Sequence, residues 1–340
     1  MNLQETMLIA IEAELQTQVS RLEKKHTKEF HQMLTYHMGW SGEGAGTQAT
    51  GKRIRPLITL LATASTNEEH NLSSNWLNAV PAASAIELIH NFSLVHDDIQ
   101  DNSELRRGRK TVWTKWGQPQ AINAGDGLFV IAYQSILDLS KHYAADVVVR
   151  ALQILSDACL LLTQGQYLDM AYENRHDLSI DDYWHMIGGK TATLLSACTH
   201  MGALLGYADD QKIEAYRLFG YHLGLAFQVQ DDVLGIWGDE AVTGKSVASD
   251  LVEGKNSLPV LYALEKDAAF AKRWKSAPIT ADDVQEIAKL LEDEGAKTYA
   301  EKISAEQTEQ ALLYAKQAEP SGEAGELLLG LANKLLKRNQ

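Results

Sequence analysis

Prolines are few and far apart in this 340-residue chain, at positions 56, 81, 119, 259, 278 and 320 only. Between Pro119 and Pro259 there is none, and the intervals are rich in Ala, Leu, Glu and Lys, which lose little side-chain freedom in a helix. Apolar residues recur at helical spacing, and no segment shows period-two alternation bounded by turn residues. No repeat of fixed period, low-complexity tract or linker breaks the chain into separate cores. The expectation is one all-α domain, a single large helical bundle. Its helices should cover 3–38 (one or two), 54–66 with Pro56 in the first turn where proline is tolerated, a long stretch ending near Asp101, 118–139 and 145–173. A short helix from Asp181-Asp182 to Gly188-Gly189 should follow, then 190–206, 209–237 and the charged tail 258–338, broken near Pro278 and Pro320. Loops are expected at 41–53, 66–76, 103–117 and 238–256.

The most informative stretch inside this frame is IELIHNFSLVHDDIQDNSELRRGR, residues 86–109. An apolar helical run ends in Asp97, Asp98 and Asp101, followed at once by Arg106, Arg107 and Arg109. Asp97 and Asp101 fall one above the other on a helix of about 3.6 residues per turn, with Asp98 beside them. Two readings are open for this stretch alone: an acidic helix end followed by a basic loop, or a site where a hard divalent cation gathers the carboxylates and arginines grip phosphate oxygens.

A second acidic cluster, Asp231 and Asp232 in AFQVQDDVLGIWGD, also follows an apolar helical segment, with Gln228 one turn earlier and Asp239 just beyond. If the two helices lie side by side, the carboxylates gather at one mouth of the bundle, where metal ions remove their repulsion and hold a diphosphate. Basic residues at glycine-preceded positions supply the rest: Lys52, Arg53 and Arg55 in GKRIRP, and Lys190 in GGKTATL. Thirty-one basic against 45 acidic residues leave a net charge of −14, which disfavours nucleic acid and anionic membrane as partners. An anionic substrate therefore needs local cations or a metal. Cys159 and Cys198 lie in apolar helical patterns and read as buried thiols of a reduced compartment. No secretory signal or transmembrane segment is expected, which points to the cytoplasm.

GKRIRP, ELIHNFSLVHDDIQDNSELRRGR, GQYLD (165–169), GGKTA, FQVQDDVLGIWGD and TGKSVASDLVEGKNSLP together resemble the trans-polyprenyl diphosphate synthases, in order and in spacing, over about residues 40–265. The resemblance implies the isoprenoid synthase fold: one domain over 1–340, its helices around a central cavity, with those of 266–338 structural. It implies a Mg²⁺-dependent trans-prenyltransferase, geranylgeranyl diphosphate synthase-like, that joins isopentenyl diphosphate to an allylic diphosphate by ionisation, condensation and elimination. Two or three Mg²⁺ ions and a homodimer come with it. Asp97, Asp101 and Asp231 are then metal ligands, with Asp98 and Asp232 in support. Arg106, Lys190 and Lys245 contact the allylic diphosphate, with Lys255 at its rim. Lys52, Arg55, His90 and Arg107 bind isopentenyl diphosphate. Thr191 and Gln228 face the allyl cation, while Gln166 and Asp169 line the cavity. No side-chain nucleophile is required, so His96 is expected to be a hydrogen-bonded helix residue.

Two features particularise the resemblance. The second motif often ends in a third aspartate, and here Gly235 stands in that place; Asp239 is a candidate to compensate. Before the first motif stand Phe92 and Ser93, where bulk limits the growing chain; one aromatic with a small neighbour resembles enzymes that stop at C20, with C15 next. The alternatives are a class I terpene cyclase, suggested by Gly235, and a non-catalytic partner subunit of a prenyl synthase.

Overall fold

The computed structural model describes all residues except 1, 67–74, 174, 176, 239–248 and 337–340. They form two compact units: 1–156 with 197–214 and 319–328, and 157–196 with 215–318 and 329–340. Both are helical. No helix among the described residues is long and apolar enough to cross a membrane.

The first unit holds α1 (Leu3–Ser20), α2 (Lys28–His37), α3 (Ile54–Ser65), α4 (Val80–Gln100) and α5 (Gln118–Leu137). Asn2 caps α1 in a reciprocal box with Glu5, and Met7, Ile11, Leu15 and Val19 bury one stripe of it. The central element is α4. Nearly every residue from Val80 to Ile89 is buried, as expected of a helix apolar all round. It packs on α5, α3 and α1, and Asp101 is its C-cap.

The 103–117 connection holds what the sequence does not announce, a two-strand ladder, β1 (Leu105–Arg106) with β2 (Arg109–Lys110). Arg107 (φ 52°) and Gly108 (φ 72°) make its turn, both in the left-handed region that favours hairpin closure. Two residues per strand leave no alternation to read.

The second unit holds the end of α6 (Ala145–Tyr172), α7 (Ile180–Ile187), most of α9 (Asp210–Trp237) and four later helices, α10 (Leu258–Glu265), α11 (Ala269–Ser276), α12 (Val284–Asp293) and α13 (Ala296–Ala318). Ser179 caps α7 in a box with Asp182, consistent with the helix start expected there. Tyr183, Ile187, Val229, Val233, Leu258 and Phe270 are among its core residues.

One expectation is corrected. GGKTA does not open a helix: Gly188–Ala192 is a π-turn between α7 and α8 (Thr193–Leu205). Its N–H groups are therefore not those of a helix N-terminus. The cause is backbone-to-backbone packing on α6. A Cβ on Gly165 would lie 2.1 Å from the Lys190 nitrogen, and one on Gly189 would lie 2.6 Å from the Leu161 carbonyl oxygen. Only glycine permits that approach.

Candidate active site

At the end of α4, neighbouring aspartates differ in exposure. Asp97 is half-buried and Asp101 exposed, one turn apart, while Asp98 turns inward and is 2% exposed. The β1–β2 ladder brings Arg106 back so that its Nε donates to Asp98 Oδ1 at 2.8 Å. Burial pushes the Asp98 carboxyl up to about 6 against the pull of Arg106, with Asp97 and Asp101 adding repulsion. Asp98 thus holds an arginine in place.

The other basic residues divide in the same way. Arg53 is the N-cap of α3 in the left-handed region (φ 48°). It is buried, donating to Glu87 at 2.9 Å and to Glu12 at 3.1 Å, so it anchors the GKRIRP turn. Arg109 donates to the carbonyls of Tyr36, Ser41 and Glu43 and organises the glycine-rich loop, which removes it from the phosphate-gripping set.

Arg107 Nη1 donates to Ala49 O at 2.7 Å, and its guanidinium fills the space beside Gly51. That contact joins the RRGR and GKRIRP motifs. Lys52 is exposed there, and Arg55 Nη1 lies 3.3 Å from His90 Nε2. Burial, then the charges of Arg55 and Arg107, hold His90 well below the usual imidazole range, so it accepts from Arg55 as a neutral ring. His37, Asp98, Arg106 and Arg107 help to line a small cavity beneath. His37 Nε2 is buried there without a hydrogen-bond partner. His96 bonds the Ile122 carbonyl at 3.3 Å, as expected of a helix residue. Phe92 packs edge-on against His96 and at a tilt against Phe129 of α5, with ring centroids about 5 Å apart, and the Ser93 hydroxyl donates to His90 O at 2.8 Å.

In the second unit the pattern repeats at α9. Asp231 is half-buried, and Asp232 turns inward. Asp232 accepts from the Tyr183 hydroxyl at 2.7 Å, the Leu258 N–H at 3.0 Å and Gln228 Nε2 at 2.9 Å. Burial raises its carboxyl to about 6 even so. Gln228 Oε1 accepts from the Thr191 hydroxyl at 2.7 Å, which leaves that hydroxyl's lone pairs as its available polar feature. Lys190, carried on the π-turn, is ion-paired with Asp169. Lys255 pairs with Asp250 at 3.2 Å and Glu253 at 2.6 Å. Lys245 and Asp239 lie outside the described residues.

Sequence reasoning missed Tyr183, Glu87 and His37, whose roles depend on partners distant in sequence. It also passed over Asp250, although SDLVEGK was among the matching stretches.

No three His, Cys, Asp or Glu side chains converge into a ready-made metal cage among the described residues. Mg²⁺ does not need one. It is held by one or two carboxylates, with waters and substrate phosphates completing the shell. Asp97 with Asp101, and Asp231, are hard oxygen donors of that kind; Asp98 and Asp232 are engaged inward.

In each unit a helix carries an outward aspartate next to one turned inward, with basic side chains held by internal partners, and the fold is that of a helical enzyme class. Residues 45–293 match the polyprenyl synthetase family, and the chain belongs to it. It is 38% identical over 82% of its length to a geranylgeranyl diphosphate synthase of Mycobacterium tuberculosis, spanning 79% of that protein. It is also 38% identical over 79% of its length to a (2E,6E)-farnesyl diphosphate synthase of the same organism, spanning 75% of that one. A solved geranylgeranyl pyrophosphate synthetase of Pyrococcus horikoshii superposes with a TM-score of 0.86 at 30% identity, over 99% of this chain and 97% of that one.

Proposed function

We propose that this chain joins isopentenyl diphosphate to an allylic diphosphate with Mg²⁺, giving C20 in preference to C15, as a homodimer in the cytoplasm. As a member of the polyprenyl synthetase family it is a short-chain trans-prenyltransferase. One observation carries the residue assignments: in each motif an inward group fixes an outward one. Asp98 holds Arg106, His90 orients Arg55, and Asp232 fixes Gln228. Such preorganisation is what stabilising a leaving anion demands.

Asp97, Asp101 and Asp231 would hold the metal ions, two or three in number, with Asp98 and Asp232 in support. When bound, Mg²⁺ supplies positive charge to the departing diphosphate. Arg106, Lys190 and Lys245 bind that diphosphate, with Lys255 at its rim. Lys52, Arg55, His90 and Arg107 hold isopentenyl diphosphate. The allylic C–O bond breaks first, giving the allyl cation and diphosphate; the double bond of isopentenyl diphosphate then forms the new C–C bond to the cation, and a proton leaves to the released diphosphate. Thr191 and Gln228 face the allyl cation through oxygen atoms, while the apolar surroundings exclude water. Phe92 and Ser93 limit chain growth. Relatives of equal identity bear C20 and C15 names, so these two residues support the C20 reading rather than similarity.

The two compact units act together as one polyprenyl synthase domain over 1–340, with the core at 40–265 and the helices of 266–338 structural. Exposed Ile122, Val130 and Leu137 on α5 suit a dimer face, and the buried thiols Cys159 and Cys198 suit a reducing compartment. A cyclase has no use for the Arg55–His90 pair or for Lys52 and Arg107. A non-catalytic subunit has no need to keep Asp97, Asp101 and Asp231.

The test is incubation of the purified chain with Mg²⁺, farnesyl diphosphate and labelled isopentenyl diphosphate. Label should enter a C20 diphosphate, and Asp97→Ala should lower turnover about 10²–10³-fold. A hydrocarbon product without label, or near-normal turnover in the variant, sinks the reading.

A further inference from the structure

We propose that Arg109 is a positioning residue for isopentenyl diphosphate: loop 39–51 is wound onto its guanidinium, and the far end of that loop holds Arg107. The inference rests on the reading above that Arg107 grips this substrate, and it adds what keeps Arg107 in place.

Arg107 needs such a hold. It is exposed at the turn of the β1–β2 ladder, so burial does not select its rotamer. Its Nη1 donates to Ala49 O at 2.7 Å, and a Cβ on Gly51 would lie 2.7 Å from its Nη2. The end of the loop thus both bonds the guanidinium and leaves room for it. Its neighbour Arg106 is held differently, by Asp98 of α4. The two arginines therefore have separate anchors.

The carbonyl of Ala49 is placed by the loop. Gly39 (φ 83°) packs on it backbone to backbone: a Cβ there would lie 2.5 Å from Ala49 C and 2.8 Å from Ala49 O. The Gly46 N–H donates to Gly39 O at 3.1 Å and the Ala49 N–H to Gly46 O at 2.9 Å, which closes the loop on itself. Arg109 ties down the other end. Its Nη1, Nη2 and Nε donate to the carbonyls of Tyr36, Ser41 and Glu43 at 2.8, 2.7 and 2.9 Å. Three nitrogens meet three separate carbonyls, which a guanidinium fork can do and an ammonium point charge cannot do in the same geometry. Tyr36 strengthens the junction. Arg109 Cζ lies 4.1 Å and Lys115 Nζ 4.3 Å from its ring centroid, and its hydroxyl donates to Lys110 O at 2.8 Å. A change confined to the Arg109 side chain leaves the ladder backbone and the Asp98–Arg106 pair in place, and reaches Arg107 through the loop.

The experiment measures KM for isopentenyl diphosphate and for farnesyl diphosphate with the purified full chain, with far-UV circular dichroism to establish folding. Arg109→Lys keeps the charge and loses the fork. It should raise KM for isopentenyl diphosphate on the order of tenfold and leave KM for farnesyl diphosphate within about twofold of wild type. Because Arg109 acts through Arg107, the double variant Arg107→Gln with Arg109→Lys should be no worse than Arg107→Gln alone. Wild-type KM values in Arg109→Lys, an equal rise in both, or additive effects in the double variant overturns the proposal and leaves the reading of Arg107 intact. An Arg107→Gln variant with wild-type KM for isopentenyl diphosphate removes both. Should Arg109→Lys fail to fold, Gly44→Ala decides, since its Cβ would lie 3.3 Å from Arg109 Cγ and crowd the same contact from the loop side. It should raise KM for isopentenyl diphosphate alone; an equal rise in both, or none, overturns the proposal.

Discussion

Asp97 and Asp98 are the same residue side by side, yet one is half-buried and the other is 2% exposed beneath Arg106. Asp231 and Asp232 repeat the division. Helical spacing singles out Asp97 and Asp101 as a pair. It does not say that Asp98 grips an arginine, because Arg106 returns through a turn with two left-handed residues. Tyr183 has no signature at all in the sequence, although its hydroxyl is one of three donors to Asp232. Tyr183→Phe leaves that buried carboxylate short of a donor. We expect a stability loss of about 1–3 kcal/mol in urea unfolding. Turnover should fall as well, because Gln228 is held by the same carboxylate. Unchanged unfolding would show that the hydroxyl is redundant.

At the scale of elements, helix positions follow closely from the apolar periodicity, while the form of GGKTA does not. Glycines before a lysine fit a helix start and a π-turn equally well, and the choice is made by α6, whose Gly165 touches the turn backbone to backbone. Gly165→Ala forces the two apart. We expect a loss of roughly 1–3 kcal/mol in stability, as for other overpacking substitutions. The KM for the allylic diphosphate should rise too, because Lys190 is carried on the turn. Wild-type values of both would remove this role of the glycine contact. On α4, Phe92 meets Phe129 across the α4–α5 contact and so stands between helices. Phe92→Ala should shift the product spectrum beyond C20, read by chromatography of the dephosphorylated alcohols. An unchanged spectrum would acquit Phe92 as a chain-length residue.

At the scale of the whole molecule, buried neutral histidines set the response to acid. His37 is held down to about 3, first by burial and then by the charges of Arg106, Arg107 and Arg53. His90 is lowered well below its ordinary value by burial and by Arg55. The unfolded chain takes up a proton near the ordinary value of 6.5, which the folded chain refuses. The contribution of these two histidines is therefore full above pH 6.5 and is lost as the pH drops from there toward 3, while Asp98 and Asp232, raised to about 6, act in the opposite direction as they take up protons. His37→Gln should flatten part of that slope in urea unfolding measured from pH 7 to pH 5. The unaltered slope in the variant would mean that other groups govern it.

By itself the sequence determined the all-α class, the places of the long helices, both acidic motifs and the basic motifs around them. These are local: they depend on periodicity and on spacing within one or two helical turns. Tertiary structure alone decided which charges face inward, which strands close the RRGR turn and why Gly189 meets Gly165. It also showed that the space at Gly235 is filled by the carboxylate of Asp250. The physical reason is the same in each case: burial and close backbone approach are properties of two segments at once, and a single segment of sequence carries only its own half.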